Sequence, residues 1–176
     1  MPILRQIAQL GQPVLRGVAT QIADPADSVL QALIEDMLVT VADADGVGIA
    51  APQVYAPLSL FIVASRPNRR YPAAPEMEPT AMINPEILWV SDEKNKGWEG
   101  CLSIPGLRGL VSRHTRIGVR YLTRAGDLRE VEYVDFLARV FQHEFDHVQG
   151  KLFIDRVEST LELMTEKEYL RRQSHA

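Results

Sequence analysis

The element that decides the fold is encoded at positions 134–150, where the chain reads VDFLARVFQHEFDHVQG. Its apolar residues recur at helical spacing over a broad arc, which predicts a buried helix over 134–149 that Gly150 terminates. His143 and His147 are four residues apart and therefore lie on one face of this helix. Two imidazoles in that arrangement can bind a single metal ion.

Glu144 is the third polar residue of this motif, rotated by about 100° from His143 around the helix. Its carboxylate can reach a water molecule at the metal without binding the metal itself. Buried imidazoles and a buried carboxylate are costly without partners, and one divalent cation satisfies all three. The alternative is a pair of core histidines with hydrogen-bonded ring nitrogens, which the complete H-E-x-x-H motif disfavours. The polar surroundings of His114 predict a surface residue, and His175 in the C-terminal tail carries no prediction.

A catalytic site of this kind has three protein ligands and an open position, so a third ligand is required. Cys101, the single cysteine of the chain, is one candidate, because neighbouring glycines allow its backbone to approach another group closely. Taken alone, it is more simply interpreted as a small buried apolar residue. A structural site, the non-enzymatic alternative, would need a fourth protein ligand. Four downstream glutamates are the other candidates, and a ligand among them would indicate a zinc peptidase: Glu158, Glu162, Glu166 and Glu168.

A second segment of interest reads GVGIAAPQ at positions 46–53. Its small residues leave backbone amides and carbonyls accessible to a ligand, and Gln53 offers an uncharged donor to an oxygen that develops charge. Pro52 blocks helix initiation and no phosphate-binding glycine pattern follows, so a dinucleotide site is excluded. By itself the segment is also compatible with a tight turn at the end of a strand.

Length and composition limit the possible functions. The chain has 176 residues, 46% of them hydrophobic, and a formal net charge of −4, which is typical of one soluble domain spanning 1–176. The mildly acidic balance provides no positive field for nucleic acid. No apolar run approaches the roughly 20 residues that a bilayer span requires. One cysteine permits no internal disulfide and favours a reducing compartment.

The rest of the pattern predicts an α+β fold, because strands and helices do not alternate regularly. Asp24 as N-cap and Pro25 at the first helical position predict an N-terminal helix that ends near Gly46. A C-terminal helix is predicted over 158–173, and the prolines of 66–79 predict a surface loop. Strands are predicted over 58–64, 80–90, 116–122 and 128–134, the last two joined by a hairpin turn at 124–127.

Three segments taken together resemble the signature motifs of the peptide deformylases: 46–53, 99–103, and 142–147 with Gly150. The resemblance begins at Ile3 and extends to Arg156. It implies a hydrolase that removes the N-formyl group from the initiating methionine of new polypeptides and releases formate. It also implies an α+β fold in which β-sheets pack around the central metal-bearing helix.

The resemblance further implies that one divalent metal ion is bound by three side chains, Cys101, His143 and His147. The family usually employs Fe²⁺, which is the ion expected in the cell, and Zn²⁺ or Ni²⁺ is also accepted. By the same analogy, Glu144 takes a proton from the attacking water and later gives it to the leaving amine. Gln53 and the backbone N–H of Leu102 would hold the oxyanion of the tetrahedral intermediate.

Substrate-binding residues follow from matching positions in the family. Val47, Phe136 and Val140 are expected to form the apolar wall of a methionine pocket. The carbonyl and amide of Gly48 are expected to pair with an extended peptide as an added strand. Arg108 is expected at the rim of the site, where it would meet the peptide beyond methionine.

The expected partners are the formyl-Met N-termini of nascent polypeptides, with the ribosome as a further candidate and no specific nucleic acid or membrane. Because the resemblance begins at Ile3, it leaves no room for a transit peptide, and a cytoplasmic location is expected. The proline-rich loop at 66–79 resembles that of a subgroup in which dimers are known. A monomer and a homodimer therefore both stay open.

The chain departs from the family pattern at three positions, Asp135, Val148 and Ile49. The family commonly has glycine in place of Asp135, which is expected to cap the helix or to alter the entrance of the methionine pocket. None of the three changes affects the proposed chemistry. A family member that has lost its activity is disfavoured because Glu144 and Gln53 are both present.

Overall fold

Helix α2, Asp135–Val148, lies at the centre of the molecule. The computed structural model describes residues 1–173. Within them, an N-terminal helix α1 spans Ser28–Asp43 and a C-terminal helix α3 spans Glu166–Gln173. None of these helices combines the length and apolar character that a membrane span requires. His175 lies outside the described residues.

In the described part of the chain, eight strands form two antiparallel sheets around α2. The strands are β1 (Gly48–Ala50), β2 (Leu60–Val63), β3 (Thr80–Val90), β4 (Lys94–Cys101), β5 (Ile104–His114), β6 (Arg116–Leu122), β7 (Leu128–Val134) and β8 (Leu163–Thr165). The larger sheet has the order β1-β2-β3-β6-β7, and the smaller has the order β4-β5-β8.

Helix α2 packs against both sheets, with β1, β2 and β7 on one side and β5 on the other. Phe141 of α2 is fully buried, and its ring meets that of Phe61 edge-on at 5.0 Å between centroids. The arrangement explains why the apolar arc of α2 is so broad, since a helix between two sheets is covered on most of its circumference. The predicted α+β fold with sheets around a central helix is confirmed.

The first helix begins three residues later than predicted, at Ser28 rather than Pro25. Asp27 is its N-cap, and the Asp27 carboxylate accepts hydrogen bonds from the backbone N–H groups of Val29 and Leu30. Asp24 instead accepts from the backbone N–H of Ala26. Both aspartates satisfy free amides in the way that N-caps and Asx turns do, and only the second is followed by helical backbone.

The ends of α2 depend on backbone geometry. Gly150 has a φ of 71° and a Cβ there would lie 2.7 Å from the carbonyl oxygen of Arg16, so only glycine fits this C-terminal position. Asp135 is not the N-cap, which is Val134. Asp135 is the first helical residue and has a φ of 48°, in the left-handed region that glycine adopts most readily. A left-handed backbone at this position favours glycine, which is the residue that the deformylase pattern commonly has there.

One strand pair was not predicted from the sequence, and one predicted helix needs correction. Strands β4 and β5 form the long pair of the smaller sheet, although glycines at 97, 100, 106 and 109 obscure the alternation typical of strands. The C-terminal helix is shorter than 158–173, because a 3₁₀ turn at Thr160–Glu162 and strand β8 precede it. Strand β8 pairs with β5 from Leu107 to Gly109. The C-terminal segment is therefore anchored to the smaller sheet before α3 begins.

The proline-rich segment 66–79 contains no helix or strand, as its prolines predict. It does not lie only on the surface, however. Ala74 is buried, and the ring of Tyr71 packs against Phe136 of α2 at 5.3 Å between centroids. The loop is thus folded onto the end of the central helix.

The N-terminal segment is fastened to α1 by a buried carboxylate. Asp36 accepts hydrogen bonds at 2.8 Å from the backbone N–H of Ile3 and from Nε of Arg5. The Ile3 amide is the main cause that lowers the pKa of Asp36 below its usual value, and the Arg5 guanidinium acts in the same direction. Asp36 therefore stabilises the folded chain as the carboxylate.

Replacing Asp36 by asparagine should lower the free energy of unfolding by about 2 kcal/mol at neutral pH, because a charge-assisted pair is lost. Since the folded pKa is depressed, the carboxylate contributes its full stability above the unfolded pKa of about 4 and loses it as pH falls through the folded pKa. Urea titrations at several pH values should show the two proteins converge in acid. Glu35→Gln, at a half-exposed neighbour on α1 that pairs with Arg124, is the control and should change stability by less than about 1 kcal/mol.

Candidate metal centre

Three ligand-type side chains converge where the end of β4 meets α2. Cys101 is the last residue of β4, and His143 and His147 belong to α2. Their ligand atoms all lie within 4.8 Å of one another. Cys101 Sγ is 3.3 Å from His147 Nε2. Within residues 1–173, no other group of three or more histidine, cysteine or carboxylate side chains is arranged to hold a metal ion.

This donor set fits a divalent transition-metal ion. A thiolate with two imidazoles suits both Fe²⁺ and Zn²⁺. A tetrahedral ion about 2.3 Å from sulfur and about 2.0 Å from nitrogen would separate those ligands by about 3.5 Å, close to the 3.3 Å between Cys101 and His147. Burial acts to raise the pKa of the Cys101 thiol, but His147 and His143 outweigh burial and hold it well below its usual value. This direction favours the thiolate, the form that binds metal.

Glu99 orients His143, a role that was not predicted from the sequence. Its Oε2 lies 2.9 Å from His143 Nδ1, which leaves the other ring nitrogen free for a metal. Burial acts to raise the pKa of Glu99, but Arg113 and His143 outweigh it and hold the pKa below its usual range. Arg113 binds both carboxylate oxygens, at 2.9 and 3.0 Å. The signal for Glu99 is its position two residues before Cys101, because alternate strand residues share a face.

Glu144 lies inside the site and is 4% exposed. Burial is the main cause that raises its pKa to about 7, while His143 and His147 act in the opposite direction. Among the described residues, its Oε2 has no hydrogen-bond partner. A buried carboxylate with a free oxygen and a pKa near neutrality is suited to accept a proton and to release it again.

Gln53 lies on the 3₁₀ turn Ala51–Val54 that follows β1, and its side chain is oriented from both ends. Its Oε1 accepts from the backbone N–H of Ala50 at 2.8 Å. Its Nε2 donates to Ser103 Oγ at 3.0 Å and lies 3.5 Å from Cys101 Sγ. The N–H end of the Gln53 amide therefore faces the metal cluster. Leu102 directly follows the ligand Cys101 in the chain.

One pocket opens onto this cluster, and Gln53, Leu102 and Glu144 are among its lining residues. Four of the residues expected to contact substrate also line it: Val47, Gly48, Phe136 and Val140. The lining residues that were not anticipated include Arg70, Tyr71, Trp98 and Arg139. Arg70 and Tyr71 belong to the proline-rich loop, whose composition predicts irregular backbone but gives no indication of where the loop folds.

The comparisons with known proteins agree with this geometry. A model of the polypeptide deformylase family matches residues 4–162. Peptide deformylase 2 of Nostoc sp. is 60% identical over 168 residues, which cover 96% of this chain and 94% of that relative. The chain belongs to the polypeptide deformylase family. It is accordingly an enzyme of the class that removes N-formyl groups from nascent polypeptides.

Solved deformylase structures share the fold. The Met-Ala-Ser-bound class I type b peptide deformylase from Acinetobacter baumannii has a TM-score of 0.87 at 44% identity, with 89% of this chain and 100% of that chain covered. The peptide deformylase from Thermotoga maritima has a TM-score of 0.79 at 39% identity, with 89% and 99% covered.

In this deformylase, Arg108 is not an exposed residue at the rim. Its side chain is fully buried and is not among the residues that line the pocket. The guanidinium lies between the rings of Tyr71 and Tyr169 and donates to Glu166 at 2.8 Å. A buried guanidinium needs such partners, and the proline-rich loop and α3 supply them.

The downstream glutamates that would have indicated a zinc peptidase are engaged elsewhere in the deformylase. Glu158 and Glu162 pair with Lys96. Glu166 pairs with Arg108, and Glu168 lies 3.8 Å from Arg171. None of the four belongs to the cluster of metal ligands, which has three members within residues 1–173. Among residues 1–173, the fourth protein ligand that a structural site needs is likewise not found in this cluster.

His114 is half-buried in the deformylase rather than a surface residue. Its Nδ1 lies 2.5 Å from the carbonyl oxygen of Ser91. Gln142 of α2 binds its backbone N–H and carbonyl, at 3.2 and 2.9 Å. His114 therefore joins β5 to α2 and to the loop before β4.

Proposed function

We propose that the chain hydrolyses the formamide bond of N-formylmethionyl polypeptides at the metal centre. A water molecule adds to the formyl carbon, the bond to nitrogen breaks, and formate and a free amino terminus leave. The observation that supports this proposal is the cluster of one cysteine and two histidines beside a pocket that is also lined by Glu144 and Gln53.

Cys101, His143 and His147 would hold one divalent cation, with Fe²⁺ proposed as the ion in the cell. When bound, such a cation makes a water ligand acidic near neutral pH and polarises a carbonyl. Glu99 keeps the His143 ring in the orientation for binding through its hydrogen bond to Nδ1.

Glu144 is proposed as the group that moves the proton. Its carboxylate takes a proton from the attacking water and delivers it to the nitrogen of the leaving amine. A pKa raised by burial to about 7 allows both steps at neutral pH.

Gln53 and the backbone N–H of Leu102 are proposed to stabilise the oxyanion of the tetrahedral intermediate. The hydrogen bond from the Ala50 amide to Gln53 Oε1 fixes which end of the side-chain amide faces the site. A donor that is oriented in advance needs no reorganisation when charge develops on the oxygen.

The methionine side chain is proposed to enter the pocket against Val47, Phe136 and Val140. The backbone of Gly48 lies on β1, an edge strand of the larger sheet, which allows an extended peptide to add as a further strand. The substrate would then place its formyl group at the metal cluster and its chain along β1.

Gly48 is also required by the position of Glu144. A Cβ at position 48 would lie 2.5 Å from Glu144 Oε1, so alanine would force the carboxylate to move. We expect Gly48→Ala to lower kcat about 10- to 100-fold, a part of the usual contribution of general acid–base catalysis, with the melting temperature little changed. Gly17→Ala is the control, because a Cβ there meets no atom within 4 Å. A wild-type kcat for Gly48→Ala would contradict this prediction, because it would show that the position of the Glu144 carboxylate does not limit turnover.

The test of the function is an assay with formyl-Met-Ala-Ser and protein purified anaerobically. A deformylase should release formate and leave Met-Ala-Ser intact, as mass spectrometry would show. A zinc peptidase would instead cleave a peptide bond and yield shorter products. Absence of formate at full metal occupancy would contradict the proposed function.

We propose the cytoplasm as the site of action, because formylated nascent chains are the substrate, and the ribosome as a further partner. The oligomeric state is open between a monomer and a homodimer, and sedimentation at micromolar concentration distinguishes the two.

A further inference from the structure

The C-terminal helix α3 reaches the wall of the substrate pocket through a buried arginine. The guanidinium of Arg108 lies 5.0 Å from the ring centroid of Tyr71 and 4.8 Å from that of Tyr169. Tyr169 belongs to α3, whereas Tyr71 belongs to the proline-rich loop and lines the pocket. A cation between two aromatic faces in a buried place attracts both rings. Arg108 thus joins α3 to the loop.

Glu166 provides a second connection between the same two segments. Its Oε1 lies 2.8 Å from Arg108 Nη2 and 3.3 Å from Arg70 Nε. Arg70 lines the pocket next to Tyr71. The Glu166 carboxylate of α3 therefore binds both Arg108, which lies against the loop, and Arg70, which belongs to the loop.

The loop residue Tyr71 in turn contacts the elements that carry the metal site. Its ring packs against Phe136 of α2 at 5.3 Å. Its hydroxyl accepts a hydrogen bond from the backbone N–H of Gly100 at 3.3 Å, directly before the ligand Cys101. These contacts fix Tyr71 in the pocket wall next to the elements that carry the metal ligands.

We infer that Glu166 and Tyr169 are positioning residues that hold Arg70 and Tyr71 in place as the outer wall of the pocket, and so set the affinity for the peptide beyond methionine. This inference rests on the proposed function. It gives to Arg70 the contact with the extended peptide that the sequence suggested for Arg108. Neither Glu166 nor Tyr169 lines the pocket. Glu166 acts through Arg70 and Arg108, and Tyr169 acts through Arg108 and through the lining residue Trp98, whose ring centroid lies 6.0 Å from its own.

Kinetics with two substrates test this role. For formyl-Met-Ala-Ser, Glu166→Gln and Tyr169→Ala should each raise KM about 10-fold, which corresponds to the loss of one cation–π or ionic contact, and leave kcat within about twofold. For formyl-Met amide, which ends before the outer wall, KM should stay at the wild-type value. Tyr169→Phe keeps the aromatic ring and should restore wild-type KM. Glu168→Gln, on the exposed side of α3, is the matched control.

Limited trypsin digestion gives a readout that does not depend on activity. The bonds after Arg69 and Arg70 lie in the loop, and their cleavage should be several-fold faster in Glu166→Gln and Tyr169→Ala than in the wild type and Glu168→Gln. Wild-type cleavage and wild-type KM in both variants would overturn the inference, as would equal KM increases for the two substrates. If the wild type releases no formate, the proposed function fails, and the digestion alone decides whether α3 holds the loop.

Discussion

Replacing Cys101 by alanine should remove the bound metal and, with it, deformylase activity. Only two imidazoles would remain, on one face of α2. Loss of a residue that merely orients a ligand costs about 10- to 100-fold in metal affinity or activity, so loss of a ligand should exceed about 100-fold. The measurements are metal content per chain after anaerobic purification and formate release from formyl-Met-Ala-Ser.

A second substitution separates coordination from packing. Cys101 is buried in a cluster with Val111, Leu152 and Phe153, so alanine also leaves a small void. Cys101→Ser nearly preserves the volume but offers a harder ligand, and it should also lose most of the activity while its melting temperature stays closer to that of the wild type. An alanine variant with full metal content would instead favour a ligand set without Cys101, as a peptidase would have.

Replacing Glu144 by glutamine should lower kcat by about 10²- to 10⁴-fold, the usual contribution of a positioned acid–base group. Glutamine has nearly the same shape, but it cannot accept the proton of the attacking water. Metal content should stay at the wild-type value, because Glu144 is not one of the three ligands. The comparison of kcat with metal content therefore distinguishes proton transfer from metal binding.

Gln142, two residues before Glu144, provides the control. Gln142→Ala removes a buried side chain of α2 that binds the backbone of His114. It should lower the melting temperature with a much smaller effect on kcat. Equal turnover by Glu144→Gln and the wild type would remove Glu144 from the mechanism.

The central helix and its metal ligands could be predicted from the sequence, because the apolar spacing and the histidine spacing both follow the period of a helix. The apolar arc of α2 predicts a buried helix, and the spacing of His143 and His147 predicts a shared ligand face. The last two predicted strands, 116–122 and 128–134, also have the correct bounds, since a Gly-containing turn separates two clear strand patterns. Local signals of this kind depend only on residues that are close together in the chain.

What the sequence could not determine depends on long-range contacts. Arg108 resembles any charged residue until α3 and the proline-rich loop cover it from both sides. Glu99 acquires its role only when β4 meets α2, where Arg113 and His143 bind it. The start of α3 is likewise decided by the pairing of β8 with β5, which overrides the helical character of the residues before Glu166.

Strand β4 carries two groups that serve α2 in different ways. Cys101 contributes the sulfur, and Glu99, two residues earlier, braces the ring of His143. Both reach the helix only when the strand is docked against it. The metal site is therefore complete only once β4 has docked against α2. The rate of cation uptake during refolding should accordingly follow the docking of the smaller sheet onto α2, rather than the formation of the sheet or of the helix alone.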